Sequence, residues 1–361
     1  MTGYMVSRSR LRHNLQVLRQ RADGTPIWAV VKGNGYGLGT QALAEFLLAE
    51  GITRFCVTEP ADAAKLAALP GAAREILMLR ETVDPDELRA LLEHGVLLTV
   101  GSSAAADAAE AAARACGHPA RVHLKIDTGM GRYGFFPDET EAILPLFARD
   151  ALHICGIYTH FNCAFGDAAR TNREFDAFCA AVARLRAAGK DVGTVHCCNS
   201  AAFLRFDRMK LDGVRLGSAL LGRMPFPTEL QPVGYVQTRV DALHTVPAGH
   251  STGYSALWTA KRQTTLAILP VGWFHGFNVS CQPDRSRRCD GLRAALSGLK
   301  DMLRPRRLTV EINGVPCPIV GAIGMLHCAA DVTGLPCAPG DPVVMQLNPL
   351  HCNELPVVFT D

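Results

Sequence analysis

From residue 27 to about 228 the chain alternates between two textures. Short apolar runs are IWAVVK (27–32), RFCVTE (54–59), EILML (75–79), VLLTV (96–100), ARVHLKI (120–126), HICGIYTH (153–160), TVHCCN (194–199) and VRLG (214–217). They are β-branched, almost continuously apolar and followed by turn residues, which suits parallel strands buried on both faces. Between them lie alanine-rich stretches with helical spacing: TQALAEFLLAEG (40–51), DELRALLEHG (86–95) and REFDAFCAAVARLRAAGK (173–190). The last ends in Gly-Lys, a helix stop. The runs number eight, and that alternation predicts an α/β fold closed as a (β/α)8 barrel of the TIM type. A doubly wound open sheet competes, but no GxGxxG opens a helix after the first run.

Beyond about residue 230 the texture changes. GYVQTRVDALHTV, QTTLAILPV, RLTVEINGVPCPIVG and DPVVMQL read as strands punctuated by Pro and Gly, which predicts a separate, mainly β domain. The barrel is assigned to 1–228, with the first few residues free to join the β domain, and the β domain to 229–361. A strongly basic stretch, 278–307, interrupts the second domain, with a short helix predicted over 291–303. It reads most simply as a solvated insertion; a lid or a dock for an acidic partner is the sharper reading.

Composition refines this picture. The 361 residues are 48% hydrophobic and 20% charged, enough for two domains with large cores. A net charge of +3 calls for neither nucleic acid nor an anionic membrane as partner. No run approaches the roughly 18 apolar residues of a membrane span, and the N-terminus lacks a secretory pattern, so a cytoplasmic location is expected. The 13 cysteines are irregularly spaced and read as reduced thiols packing as small hydrophobes. His196, Cys197 and Cys198 are adjacent rather than spaced for tetrahedral zinc, and no metal is expected.

Candidate chemistry collects where the runs end. Lys32 closes the first run and enters a glycine-rich turn bearing Tyr36. Desolvation lowers an amine's pKa, and a neutral amine can attack an aldehyde. A lysine snorkelling at a barrel rim is the plain alternative. HLKIDTGMGRYGF (123–135), HF (160–161), HCCNSA (196–201) and VRLGSALLG (214–222) close or follow later runs. In a barrel all would lie at the C-terminal mouth, where catalytic groups gather and where the last two loops commonly hold phosphate.

AVVKGNGYGLG (29–39), KIDTGMGRYG (125–134), YTHF (158–161), HCCNSA and VRLG resemble, in order, the barrel motifs of the alanine racemase family, two-domain fold-type III pyridoxal 5'-phosphate (PLP) enzymes. AGHSTGYSA (248–256), ILPVGW (268–273) and NGVPCPIVGAIGM (313–325) resemble its β-domain signatures. The resemblance implies an isomerase that interconverts L- and D-alanine as a homodimer with shared active sites. It implies that Lys32 bonds the cofactor and that Tyr254 of the partner subunit is a second base on the opposite face. His160 and Arg215 would stand beside that tyrosine, with His196 supporting Arg215. Arg215 would face the pyridine nitrogen and leave it unprotonated. Arg132 would contact the cofactor oxygen and the substrate carboxylate, oriented by Lys125, which is often carbamylated in the family. Met325 of the partner subunit would help bind the carboxylate. Tyr36, Ser200, Gly217 and Ser218 would hold the phosphate, with Asn199 in support. Plainer readings stand beside three of these: Lys125 as an unmodified ion-pair partner of Asp127 or of Glu-bearing loops, His196 as a satisfied core histidine, and Met325 as β-domain packing.

The departures cluster at the substrate entrance. Gly272-Trp273-Phe274-His275-Gly276 replaces the family's G-Y-A-D-G. Leu326 stands where an aspartate follows the methionine, Ala322 where an arginine precedes it, and Phe165 where an acid follows the histidine. The family ends with a further segment carrying a tyrosine, whereas this chain has no tyrosine after Tyr254 and ends LHCNELPVVFTD. A wider pocket follows, with serine, lysine or another amino acid as alternative substrate. A PLP-binding protein with little catalysis is a second class, but its single-domain relatives lack the β domain and the second-face tyrosine. A metal-assisted D-threonine aldolase-like lyase is a third, and the C-terminal half offers no ligand cluster for it.

Overall fold

The computed structural model describes residues 2–71, 74–280 and 308–361. It divides into two units, one of residues 8–233 and one of residues 1–7 with 234–361. The helix predicted over 291–303 lies outside the described residues.

In the first unit eight parallel strands form a barrel: β1 Ile27–Val30, β2 Arg54–Val57, β3 Glu75–Met78, β4 Leu98–Val100, β5 Ala120–Lys125, β6 Leu152–Tyr158, β7 Thr194–His196 and β8 Val214–Leu216. Two four-stranded sheets, β3-β2-β1-β8 and β4-β5-β6-β7, make up the wall. Single parallel bridges, Leu77 to Leu97 and His196 to Gly213, close the two seams. β1 and β4 are buried at every position, which explains their unbroken apolar sequence, because helices cover one face and the barrel core the other. Trp28, Val30, Cys56, Leu77 and Leu97 form one such core cluster.

The helices start where local chemistry caps them. Asp84 accepts from the Asp86 and Glu87 N–H groups before Pro85–Glu93, Ser102 from Ala105 before Ser103–Cys116, and Asp167 from Arg170 before Ala168–Ala187. Helices begin at Thr40, Pro85 and Ala168; the third starts earlier than the periodicity of 173–190 predicts because Asp167 caps it. Arg8–Ala22 precedes the barrel. Its fully buried Asn14 donates to the carbonyls of Leu220 (3.0 Å) and Gln231 (2.8 Å) and accepts from the Gln231 N–H (2.7 Å), tying this helix to the segment after β8.

The second unit is built on a nine-stranded sheet. Its order is Ala242–Val246, Thr264–Leu269, Cys328–Asp331, Val315–Val320, Thr309–Ile312, Pro342–Met345, Gly234–Arg239, Gly3–Ser7 and Val357–Thr360. The N-terminal strand pairs antiparallel with Gly234–Arg239 and parallel with Val357–Thr360. Alternating burial in Thr309–Ile312 marks strands with one wet face. No described helix is long and apolar enough to cross a membrane.

Replacing Asn14 by alanine leaves two carbonyls and one N–H without their partner. The expected cost is about 2–4 kcal/mol of unfolding free energy, read as a lower urea midpoint.

Candidate active site

The barrel mouth is assembled from the turns after β1, β5, β6, β7 and β8. After β1, Gly33, Asn34 and Gly35 take left-handed φ values of 61°, 53° and 63°, and Tyr36 follows at 56°. The Gly37 N–H closes on the Gly33 carbonyl at 3.0 Å, making a single left-handed helical turn. Residues with a side chain resist this conformation by roughly 1–2 kcal/mol each, so glycine at two positions limits the cost. The turn carries Tyr36 to the loop after β8, where a β-carbon on Gly217 would collide with the tyrosine hydroxyl. Burial pushes the Tyr36 phenol up to about 12, so it stays a hydrogen-bond donor.

Beside this contact the buried Ser200 hydroxyl accepts the N–H groups of Gly217 (3.1 Å) and Ala219 (3.2 Å). Asn199 caps Ser200–Arg205 by accepting from the Ala202 N–H (2.9 Å), and it donates to the Phe161 carbonyl (3.3 Å). Ser218 is half-buried, with its hydroxyl toward the Met224 sulfur at 3.6 Å. Hydroxyls and backbone N–H groups are thus gathered around one loop.

Next to Lys32 lies a cavity of about 200 Å³, lined by Lys32, Thr58, Leu79, Arg80, Lys125, Arg132, Tyr133, Tyr158 and His160. The lining holds several cations and no carboxylate. Burial first, then Arg132, lowers the Lys32 amine below the ordinary lysine range. Burial, with Arg132 and Arg215, pushes Lys125 down to about 8 against the opposing pull of Asp127 and Glu81. Burial and the same arginines with both lysines hold His160 well below its ordinary value, so it is neutral. Arg80 has its charge answered by Glu87 at 2.8 Å.

Asp127 does not form the ion pair with Lys125 that its position suggested. Its carboxylate accepts four backbone N–H groups, of Gly129 (2.9 Å), Met130 (2.7 Å), Gly131 (2.8 Å) and Arg132 (3.2 Å). It folds the loop that carries Arg132 rather than neutralising the lysine. Lys125 lies over the rings of Tyr133 (5.1 Å) and Tyr158 (5.7 Å), a cation–π setting. Arg132 is exposed, 5.7 Å over the Tyr133 ring.

Arg215, on β8, is buried in the barrel. It meets His196 Nδ1 at 2.6 Å and donates to the carbonyls of Thr159 (2.6 Å) and Cys197 (3.3 Å). His196 is both a buried core residue and the support of Arg215. Its neighbours Cys197 and Cys198 both direct their thiols to the Met209 carbonyl, away from the His196 ring.

The barrel unit therefore carries Lys32, Tyr36, Lys125, Arg132, His160, His196, Asn199, Ser200, Arg215, Gly217 and Ser218 at one mouth. Tyr254 and Met325 belong to the β domain and are 76% and 48% exposed. Tyr254 borders a cavity of about 350 Å³ with Ile268, Val320, Ala322, Gly324 and His327. The replacement residues Phe165, Trp273 and Leu326 are all exposed. Sequence reasoning passed over the loop-folding role of Asp127, the cavity-lining Arg80 and Tyr158, and His123. His123 lies two residues before Lys125, on the same inward face of β5, and strand alternation was the signal for it.

Residues 6–225 match the family model described as "Alanine racemase, N-terminal domain", and residues 233–355 match "Alanine racemase, C-terminal domain". The chain is 36% identical over 339 residues to an alanine racemase of Desulforamulus reducens, covering 91% of this chain and 84% of that protein. It is 32% identical over 353 residues to one of Desulfovibrio desulfuricans, covering 95% and 88%. The crystal structure of the alanine racemase from Streptomyces coelicolor superposes with a TM-score of 0.85 at 25% identity, covering 100% of this chain and 98% of that one.

The lowered Lys125 amine sets a pH dependence. The folded amine titrates near 8 and an unfolded lysine near 10.5, so between them the unfolded chain holds more protons and stability rises with pH. Urea midpoints measured across that window should climb. Lys125→Met should flatten the climb by up to about 1.4 kcal/mol per pH unit.

Proposed function

The chain belongs to the alanine racemase family, a PLP-dependent isomerase family, and from that premise we propose that it interconverts L- and D-alanine by a two-base mechanism, with Lys32 and Tyr254 of the partner subunit as the bases. The observation that carries this reading is the Lys32 amine at the end of β1, lowered below the ordinary lysine range by burial and Arg132, in a cavity lined by Arg80, Lys125 and Arg132 and by no carboxylate.

The residues fit the cofactor. The close approach of Tyr36 to a side-chain-free Gly217, with the Ser200 and Ser218 hydroxyls nearby, suits an anionic phosphate. The amine suits an aldehyde. When bound, PLP supplies that aldehyde and a conjugated pyridine ring that draws electron density away from the substrate Cα.

On this reading the Lys32 amine takes up or returns the Cα proton on one face. The phenol oxygen of Tyr254 of the partner subunit does so on the other, so that a proton removed from one side is replaced from the opposite side. Arg215, fixed by His196, would face the pyridine nitrogen; a guanidinium only donates and keeps its proton, so that nitrogen stays unprotonated. Neutral His160 lines the same cavity as Lys32, Lys125 and Arg132. Arg132 would bind the substrate carboxylate, with the help of Met325 of the partner subunit, and Lys125 would position Arg132. A Lys125 amine near 8 is partly neutral at ordinary pH, the form able to add carbon dioxide. The homodimer is supported by the exposed Tyr254, Leu257 and Met325 of the β domain. A cytoplasmic setting is supported by free thiols at every described cysteine.

One observation favours a second substrate reading. Ala322, Trp273, Leu326 and Phe165 replace polar entrance residues, and Ala322 borders the cavity beside Tyr254. A racemase acting on serine, lysine or another larger amino acid fits that change.

The PLP-loaded chain should racemise alanine in an amino-acid panel; faster turnover of a larger residue would move the assignment to that substrate. In deuterated water Tyr254→Phe should lose Cα–H exchange for one enantiomer by about 10²–10⁴-fold. Wild-type exchange of both enantiomers would remove the tyrosine from its role as a base.

A further inference from the structure

One buried side chain outside these roles is held with more structure than packing requires. His123 on β5 is 1% exposed, and the strand pairing breaks beside it. The register steps from Val122 with Ile154 to His123 with Gly156, leaving Cys155 as an extra residue on β6. A bulge bends the strand that carries it, here β6, and changes which residue faces His123. The residue brought opposite is glycine, where a methyl group would lie 2.5 Å from the imidazole. The ring so placed sets Nδ1 2.9 Å from Nε2 of His196, whose Nδ1 is 2.6 Å from Arg215.

The order of donation has one solution. A guanidinium nitrogen only donates, so His196 Nδ1 carries no proton and accepts. Burial keeps His196 neutral, so its one proton sits on Nε2 and is donated to Nδ1 of His123. His123, pushed down to about 3 by burial, is neutral and carries its proton on Nε2. The stacked rings of Trp28 (5.9 Å, 7°) and Tyr158 (5.0 Å, 9°) fix the plane of His196. They do not choose between its two flipped orientations, because either flip presents the same faces. Hydrogen bonds on both ring edges make that choice.

We propose that His123 is a positioning residue: as last acceptor in the chain Arg215 to His196 to His123, it fixes the orientation of His196 and so holds the Arg215 guanidinium in place. Its effect on turnover rests on the reading of Arg215 as the partner of the cofactor ring. The hydrogen-bond chain itself does not.

The test uses the full-length PLP-loaded chain with ¹⁵N-labelled imidazoles. A scalar coupling across the N–H···N bond should join His196 Nε2 to His123 Nδ1, with the proton on His196. His123→Leu should abolish the coupling and lower kcat about tenfold with KM little changed. Gly156→Ala, which displaces the ring, should act likewise. His123→Asn places an acceptor oxygen near the position of Nδ1 and should recover most of the rate. A proton found on His123 Nδ1, a wild-type rate in His123→Leu, or an Asn variant no better than Leu would each overturn the proposal. A wild-type chain that binds PLP but does not racemise would instead refute the functional reading, and the coupling would still decide the hydrogen-bond chain.

Discussion

Positive charge gathered in a barrel mouth whose lining holds no carboxylate is the constraint on which the site depends. Arg132 acts on Lys32, Arg132 and Arg215 act on Lys125, and all four cations act on His160, while burial works against the charge of both lysines. An arginine keeps its proton and a lysine can release it, so the strain falls on the two amines. Lys32 is shifted toward its neutral, nucleophilic form for that reason. The same imbalance makes the mouth receptive to an anion, since a bound phosphate or carboxylate answers charge that the protein leaves unanswered. The acids nearby are engaged elsewhere: Asp127 accepts four backbone N–H groups and Glu87 pairs with Arg80, and Asp127 and Glu81 only partly oppose the lowering of Lys125.

Local backbone irregularity is what turns a regular barrel into this arrangement. The left-handed turn after β1 brings Tyr36 to Gly217, and the bulge on β6 sets the side-chain-free Gly156 opposite the inward-facing His123. The two seams of the barrel rest on single bridges, one of them at His196, where the ring also meets Arg215. The helices and the remaining strands supply the rigid frame against which these few distortions are held.

Much of the barrel was legible because its information is local. Eight apolar runs mark eight strands, since a strand buried on both faces cannot hide its composition. The residues at run ends, Lys32 and Arg215 among them, were legible as candidates because the C-terminal ends of parallel strands share one rim. What escaped was set by geometry that periodicity does not carry. Asp127 beside Lys125 in sequence suggested an ion pair, but a tight loop offered it four N–H groups instead. His123 was passed over, although strand alternation puts it on the inward face of β5. The register shift that sets Gly156 opposite it depends on which residue of β6 is skipped, and no local pattern announces that.

The central claim is that the Lys32 amine is the group that condenses with the cofactor aldehyde. The most direct measurement is borohydride treatment of the PLP-saturated chain, followed by peptide mapping. The account predicts a reduced pyridoxyl mass on the peptide containing Lys32 and on no other lysine peptide. A colourless preparation with Lys32 unmodified, or an adduct confined to a different lysine, would contradict it.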